Sequence, residues 1–306
     1  MDSSRAMTTA RPFRFGVVAA QAPSGAEWAA KARRIESMGY STLLMPDGLK
    51  HALAPLPALA AAAAATSSLR VGTYVLANDF RNPVLLAKEA ATVDVVSDGR
   101  FELGLGAGRP GAVDDNRMLG LPFGSGGERV AALAESLPLI KALLAGETST
   151  ATGPRYAAEA AEISPRPVQQ PRPPILVAGS GRRILSLAAR EADIVALGVA
   201  PTESEAGVAE RIAWLREAAG PRFGELELNM TLMAVGDQVP VWVSRQLGLT
   251  AEVLAGSGAA SVLLGSLDEM CETLLRRRES LGVSYVAVSD EMMETLAPVV
   301  ERLAGR

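Results

Sequence analysis

The sequence predicts a parallel α/β fold of (β/α)8 barrel proportions, on three observations. The stretch Leu69–Gly108 reads strand, helix, strand within about forty residues, and such a βαβ unit requires a parallel sheet. Periodic segments on either side bring the number of βα units close to eight. The length of 306 residues suits one barrel with insertions, and a hydrophobic content of 48% can fill a barrel interior and its helix layer.

Residues 1–12 are small and polar and read as a disordered tail, leaving 13–306 as a single barrel domain. Phe13–Ala20 is a first strand whose near-continuous apolar run suits burial on both faces. Ser24 and Glu27 have capping-box spacing and open a helix with Trp28, Ala32, Ile35 and Met38 on one face. Gly39 ends it. The second strand, Ser41–Met45, delivers Pro46-Asp47-Gly48 to the barrel mouth, and an Ala-rich helix to about Thr66 follows. Next come a β-rich run Val71–Leu76, a turn at Arg81-Asn82-Pro83 and a helix 84–96 offering Leu85, Ala87 and Ala91 to a buried face. Strand Phe101–Leu105 then runs into Gly104, Gly106 and Gly108, where a parallel strand ends and backbone can approach a ligand.

Arg109–Gly127 has no period and reads as a long loop over the mouth. Glu128–Ala145 is helical, and 148–174, with six prolines from 154 onward, reads as an insertion with a short hairpin near Tyr156. The barrel resumes with strand Ile175–Ala178, the loop Gly179-Ser180-Gly181-Arg182-Arg183 and a helix to Arg190. Strands at 192–197, 226–235 and 284–288 alternate with helices at 205–219, 240–256 (in two pieces), 268–281 and 290–303, with a short apolar run at 262–265.

Composition narrows the function classes. A net charge of −4 disfavours nucleic-acid binding. One cysteine, Cys271, excludes an intrachain disulfide and a cysteine-rich metal site, and it reads as a small buried hydrophobe; no metal site is expected. Met1–Arg14 lacks the apolar core of a signal peptide, and the Ala-rich run 58–65 is too short to span a bilayer, so a cytoplasmic location is expected. No zinc-protease, P-loop or nucleophile-elbow motif occurs.

The central stretch also carries a family resemblance. Gly72-Thr73, Asn82-Pro83, Ala91-Thr92-x-Asp94, Ser97-Asp98-Gly99-Arg100-Phe101 and Gly104-Leu105-Gly106-Ala107-Gly108 resemble the luciferase-like flavin and deazaflavin enzymes, most of all the actinobacterial oxidoreductases that use coenzyme F420. The resemblance implies a TIM barrel binding a reduced flavin-type cofactor at its C-terminal mouth. It also implies hydride transfer between the deazaflavin and a small organic substrate. Two other readings stay open: a reduced-FMN monooxygenase of the same fold, and an accessory barrel that has lost cofactor binding. A small-molecule substrate and a homodimer are the expected partners.

The site residues follow partly from chemistry and partly from the resemblance. The Gly179-Ser180-Gly181 loop opens a helix, whose free amides and dipole favour a phosphate; Arg182 and Arg183 can add charge, or the loop is a plain turn with two solvated arginines. In the family this loop, with the Gly106-Ala107-Gly108 backbone, receives the cofactor phosphate. Tyr74-Val75 matches the position where many relatives carry a non-prolyl cis peptide behind the central ring. Asp47 reaches the mouth as half of an Asp-His pair in many relatives, but Gly48 stands where the proton-donating histidine would be. The only histidine, His51, either takes that role or is a solvated loop residue. Arg109 stands where some relatives place an acid or an aromatic. Asp94, Asp98 and Arg100 precede a strand and belong to the barrel bottom, where shared patterns report stability, whereas Asp114 and Asp115 lie in the mouth loop as candidate substrate contacts.

Overall fold

The structure, a computed structural model, describes residues 11–50 and 52–306. His51 and residues 1–10 of the expected tail therefore lie outside the described residues.

The first half of the chain alternates strand and helix: β1 (Arg14–Val18), α1 (Gly25–Ser37), β2 (Thr42–Met45), α2 (Pro55–Ala64), β3 (Arg70–Thr73), the short β4 (Leu76–Ala77), α3 (Pro83–Val96) and β5 (Phe101–Gly106). Helices α4 (Val113–Met118) and α5 (Gly126–Leu144) follow, then an antiparallel hairpin of β6 (Ser149–Thr152) and β7 (Ala157–Ala161). Alternation resumes with β8 (Ile175–Gly179), α6 (Arg182–Glu191), β9 (Ile194–Leu197), α7 (Glu205–Ala219), β10 (Glu227–Thr231) and β11 (Ala234–Val235). The chain closes with α8 (Val241–Leu247), α9 (Ala251–Gly256), β12 (Val262–Leu263), α10 (Leu267–Leu281), β13 (Val283–Ser289) and α11 (Met293–Leu303).

Strands β3, β2, β1, β13, β10, β9, β8 and β5 pair in that order, all parallel, and a further β3–β5 pairing closes the ring. This is a closed eight-stranded parallel barrel sheathed by helices, a TIM barrel. Strands such as β2 and β9 are buried along their full length because barrel interior and helix layer cover both faces.

The bottom of the barrel is closed by charge. Glu102, 1% exposed, accepts from Arg14 and Arg70, and Arg14 also bonds Glu227 while its guanidinium lies 4.2 Å from the Tyr285 ring centroid. Burial pushes the Glu102 carboxyl up, but the two guanidinium groups outweigh it and hold the carboxyl below its ordinary range. Asp94, fully buried, accepts from the backbone amide and side chain of Gln169 and so ties the proline-rich insertion to the barrel floor.

Four sequence expectations need correction. Leu85 is 54% exposed, and Leu86 takes the buried face of α3 with Ala87 and Ala91, because the helix starts at Pro83 and its phase is set there. The run 226–235 is two strands: β10 stays in the barrel, and β11 leaves it to pair with β12. The run Val71–Leu76 is likewise broken between β3 and β4. The mouth segment 109–127 is ordered by a short 3-10 turn and α4, and buried Asn116 donates to the Pro122 carbonyl.

One ionisable group in this scaffold gives a pH prediction. Oε1 of Glu36 accepts from the amides of Ser67, Ser68 and Leu69 just before β3. Burial raises this carboxyl, but the amide bonds prevail and bring it down to about 2. A depressed carboxyl contributes stability that is complete above its unfolded value of 4.5 and is lost as pH falls toward 2. Glu36→Gln is expected to lower the melting temperature at pH 7 and to flatten its fall between pH 4.5 and 2, as measured by thermal denaturation across that range.

Candidate active site

Several consecutive strands end around one cavity of about 660 Å³ at the C-terminal mouth. From β2 come Pro46 and Asp47, from β3 Tyr74 and Val75, from β5 Gly106 to Arg109, from β8 Gly179 to Gly181, and from β9 Gly198. Loop variation at this face is where TIM barrels place their chemistry.

One wall is shaped by the Tyr74–Val75 peptide, which is cis. The turn needs room, and β5 supplies it with glycine. A Cβ on Gly104 would stand 1.9 Å from the Thr73 carbonyl oxygen, and one on Gly106 would stand 2.7 Å from Val75. Gly104 therefore serves the neighbouring strand rather than a ligand, which corrects its sequence-based reading. Thr73 completes the junction: its hydroxyl donates to the Gly104 carbonyl and accepts from the Gly104 amide. Tyr74 points inward, and its hydroxyl donates to Asn229 Oδ1 at 2.6 Å and pairs with Thr231 at 2.8 Å. Burial pushes this phenol up to about 12, so it stays protonated at neutral pH.

The opposite end of the cavity is positively polarised. Gly181 is the N-cap of α6 and offers no side chain to the first-turn amides. A Cβ on Gly181 would meet nothing within 4 Å, so the space in front of the helix start is open. Arg129, which the sequence reading missed, is 8% exposed and lines the same cavity. Its Nε donates to the Ala107 carbonyl at 3.0 Å, and its guanidinium lies 4.2 Å from the Phe123 ring centroid. The signal that could have found it is the capping box of Ser125 and Glu128, which starts α5 at Gly126 and places residue 129 in the first turns.

The remaining candidates divide. Asp47 faces the cavity, but Arg81 engages both of its oxygens and the Ala77 amide donates to Oδ2. Arg109 is exposed at the rim with no side-chain partner among the described residues. Arg182 turns away to Glu217 at 2.7 Å and lies over Trp214, and Arg183 sits on the outer side of α6, so neither lines the cavity. A Cβ on Gly48 would stand 3.6 Å from the Asp115 carboxylate. Asp115 lines the cavity and has no hydrogen-bond partner for its carboxylate among the described residues.

The chain is thus a closed parallel TIM barrel whose mouth holds a cavity walled by a cis peptide and by glycine backbone. The sequence profile of the luciferase-like monooxygenases matches residues 7–238, and the chain belongs to that family. Among relatives, an F420-dependent glucose-6-phosphate dehydrogenase of Nakamurella multipartita is 34% identical over 235 residues, covering 73% of this chain and 68% of the relative. The corresponding enzyme of Beutenbergia cavernae is 38% identical over 166 residues, 52% of this chain and 48% of the relative, so that match spans about half of the relative's length. The coenzyme F420-dependent tetrahydromethanopterin reductase of Methanopyrus kandleri shares the fold with a TM-score of 0.76 at 18% identity, over 95% of this chain and 99% of that one.

Proposed function

We propose that this protein is an F420-dependent oxidoreductase that exchanges a hydride between the deazaflavin and a small organic substrate. The observation that carries the reading is the mouth cavity itself. Its apolar wall of Tyr74, Val75 and Ala178 faces an open, uncapped helix start at Gly181, and its volume lies within the range of cofactor pockets. The kinship with F420-dependent dehydrogenases supports the choice of cofactor.

The residues present fit that group. Val75 and Ala178 would back the ring, while the amides at the start of α6, the Gly106–Gly108 backbone and Arg129 would hold the phosphate. When bound, a deazaflavin supplies the hydride exchange. The chain's own tasks are orientation, exclusion of water and the transfer of one proton at the substrate. Asp47, already held by Arg81, fixes the rim between β2 and β4. Asp115 is the cavity-lining carboxylate without a partner, and it sits where a side chain at position 48 would project. We assign it the proton-accepting role as the hydride leaves the substrate, and the proton-returning role in the reverse direction.

The phosphate position is tested at Gly181. Its φ of −82° suits any residue, and a side chain there meets open space, so Gly181→Val keeps the fold while blocking the amides. Affinity for F420, followed by cofactor fluorescence, is expected to fall about tenfold or more, as the loss of charge-assisted bonds implies. An unchanged affinity in the folded variant would remove the phosphate from this loop.

A further inference from the structure

Beside the mouth lies a second, open groove between α5 and α6, on the outside of the barrel. Its floor is apolar, built from Val130, Ala131, Ala134 and Leu187. Its α6 side carries Arg183 and Arg190, both exposed and both without a hydrogen-bond or ion-pair partner among the described residues. Several other surface arginines are paired, Arg34 with Glu294, Arg182 with Glu217 and Arg276 with Glu205. Seven residues apart, Arg183 and Arg190 share one face of α6, about 10 Å from each other along the helix.

The groove is continuous with the mouth. Val130 lines both, and the chain passes from one to the other at Gly126–Gly127 on α5 and at Gly181–Arg182 on α6. The Arg183 guanidinium lies against Gly127, 2.8 Å from where a Cβ would be, at the passage between the two helix starts. A ligand whose phosphate sits at Gly181 and whose next atoms leave the cavity can therefore pass between these helices and meet two unpaired cations in succession.

We infer that this groove is the exit track for the oligocarboxylate tail of the cofactor, with Arg183 and Arg190 as its anion contacts. The inference rests on the F420 reading above and adds to it a place for the part of the cofactor that FMN lacks. The carboxylates of an oligoglutamate match the spaced guanidinium groups, and the methylenes between them match the apolar floor. Arg182, locked to Glu217, takes no part.

The test compares oligoglutamyl F420 with the same molecule trimmed to its phosphodiester, by fluorescence titration at low and at about 0.5 M salt. Two exposed ion pairs are expected to favour the tailed form by roughly three- to tenfold at low salt, and the preference should shrink at high salt. The Arg183→Ala/Arg190→Ala variant, which breaks no hydrogen bond among the described residues, should lose the preference while binding the trimmed form as the wild type does. A wild type with no preference for the tail, or a variant that keeps it, overturns the inference and leaves the cofactor reading standing. A wild type that binds neither form overturns the cofactor reading and the groove's role with it.

Discussion

Asp115→Asn is expected to lower turnover by about 10²–10⁴-fold with the F420 affinity changed less than about twofold, because general acid–base contributions have that size. The asparagine keeps the shape of the side chain and removes only the capacity to take a proton. Asp47 is the other carboxylate lining the cavity, and Arg81 and the Ala77 amide already engage it. His51, the candidate drawn from the sequence, serves as the comparison: His51→Ala is expected to change turnover less than about threefold. Steady-state kinetics and cofactor titration on both variants separate the two assignments, and a reversed pattern gives the proton to His51.

Glu102→Gln is expected to destabilise the barrel more than any other single change at its floor. The carboxylate is 1% exposed and bonded to Arg14 at 2.8 Å and to Arg70 at 2.7 Å, so neutralising it leaves guanidinium groups facing each other across the barrel base. Breaking a buried pair from one side costs about 3–5 kcal/mol. For a chain of this size that corresponds to roughly 6–20 °C in melting temperature. Glu227 and Gln169 remain as partners for Arg14 and Arg70 and place the loss toward the lower end. A change below about 2 °C in a scan at pH 7 contradicts this account of the floor.

The barrel was legible because local signals agree with one another. Hydrophobic runs, the Asn82-Pro83 helix start and the Ser97-Asp98-Gly99 helix stop all mark the same βαβ unit, and the structure places α3 and β5 there. Tertiary effects were not legible. The phase of α3 exposes Leu85 because Pro83 occupies its first turn, and the sequence leaves Leu85 and Leu86 equally apolar. The end of 226–235 leaves the barrel because β12, some thirty residues later, offers an edge to pair with. At the mouth, the glycines of β5 were visible but their reason was not: the Thr73 carbonyl and Val75 that fill the space beside Gly104 come from the neighbouring strand. Arg182 and Arg183 stand next to the phosphate loop in sequence, yet the turn into α6 sends both away from the cavity, whereas Arg129 enters it from a different helix.

Titration with F420 and with FMN at matched concentrations, followed by melting temperature, tests the central claim most directly. A ligand at about 100 times its dissociation constant stabilises the native state by roughly 2.7 kcal/mol. In a barrel of this size that raises the melting temperature by about 5–10 °C. The account predicts a shift of that size with F420 and a smaller one with FMN. A larger shift with FMN would contradict the cofactor assignment in favour of a flavin monooxygenase, and no shift with either would contradict cofactor binding altogether.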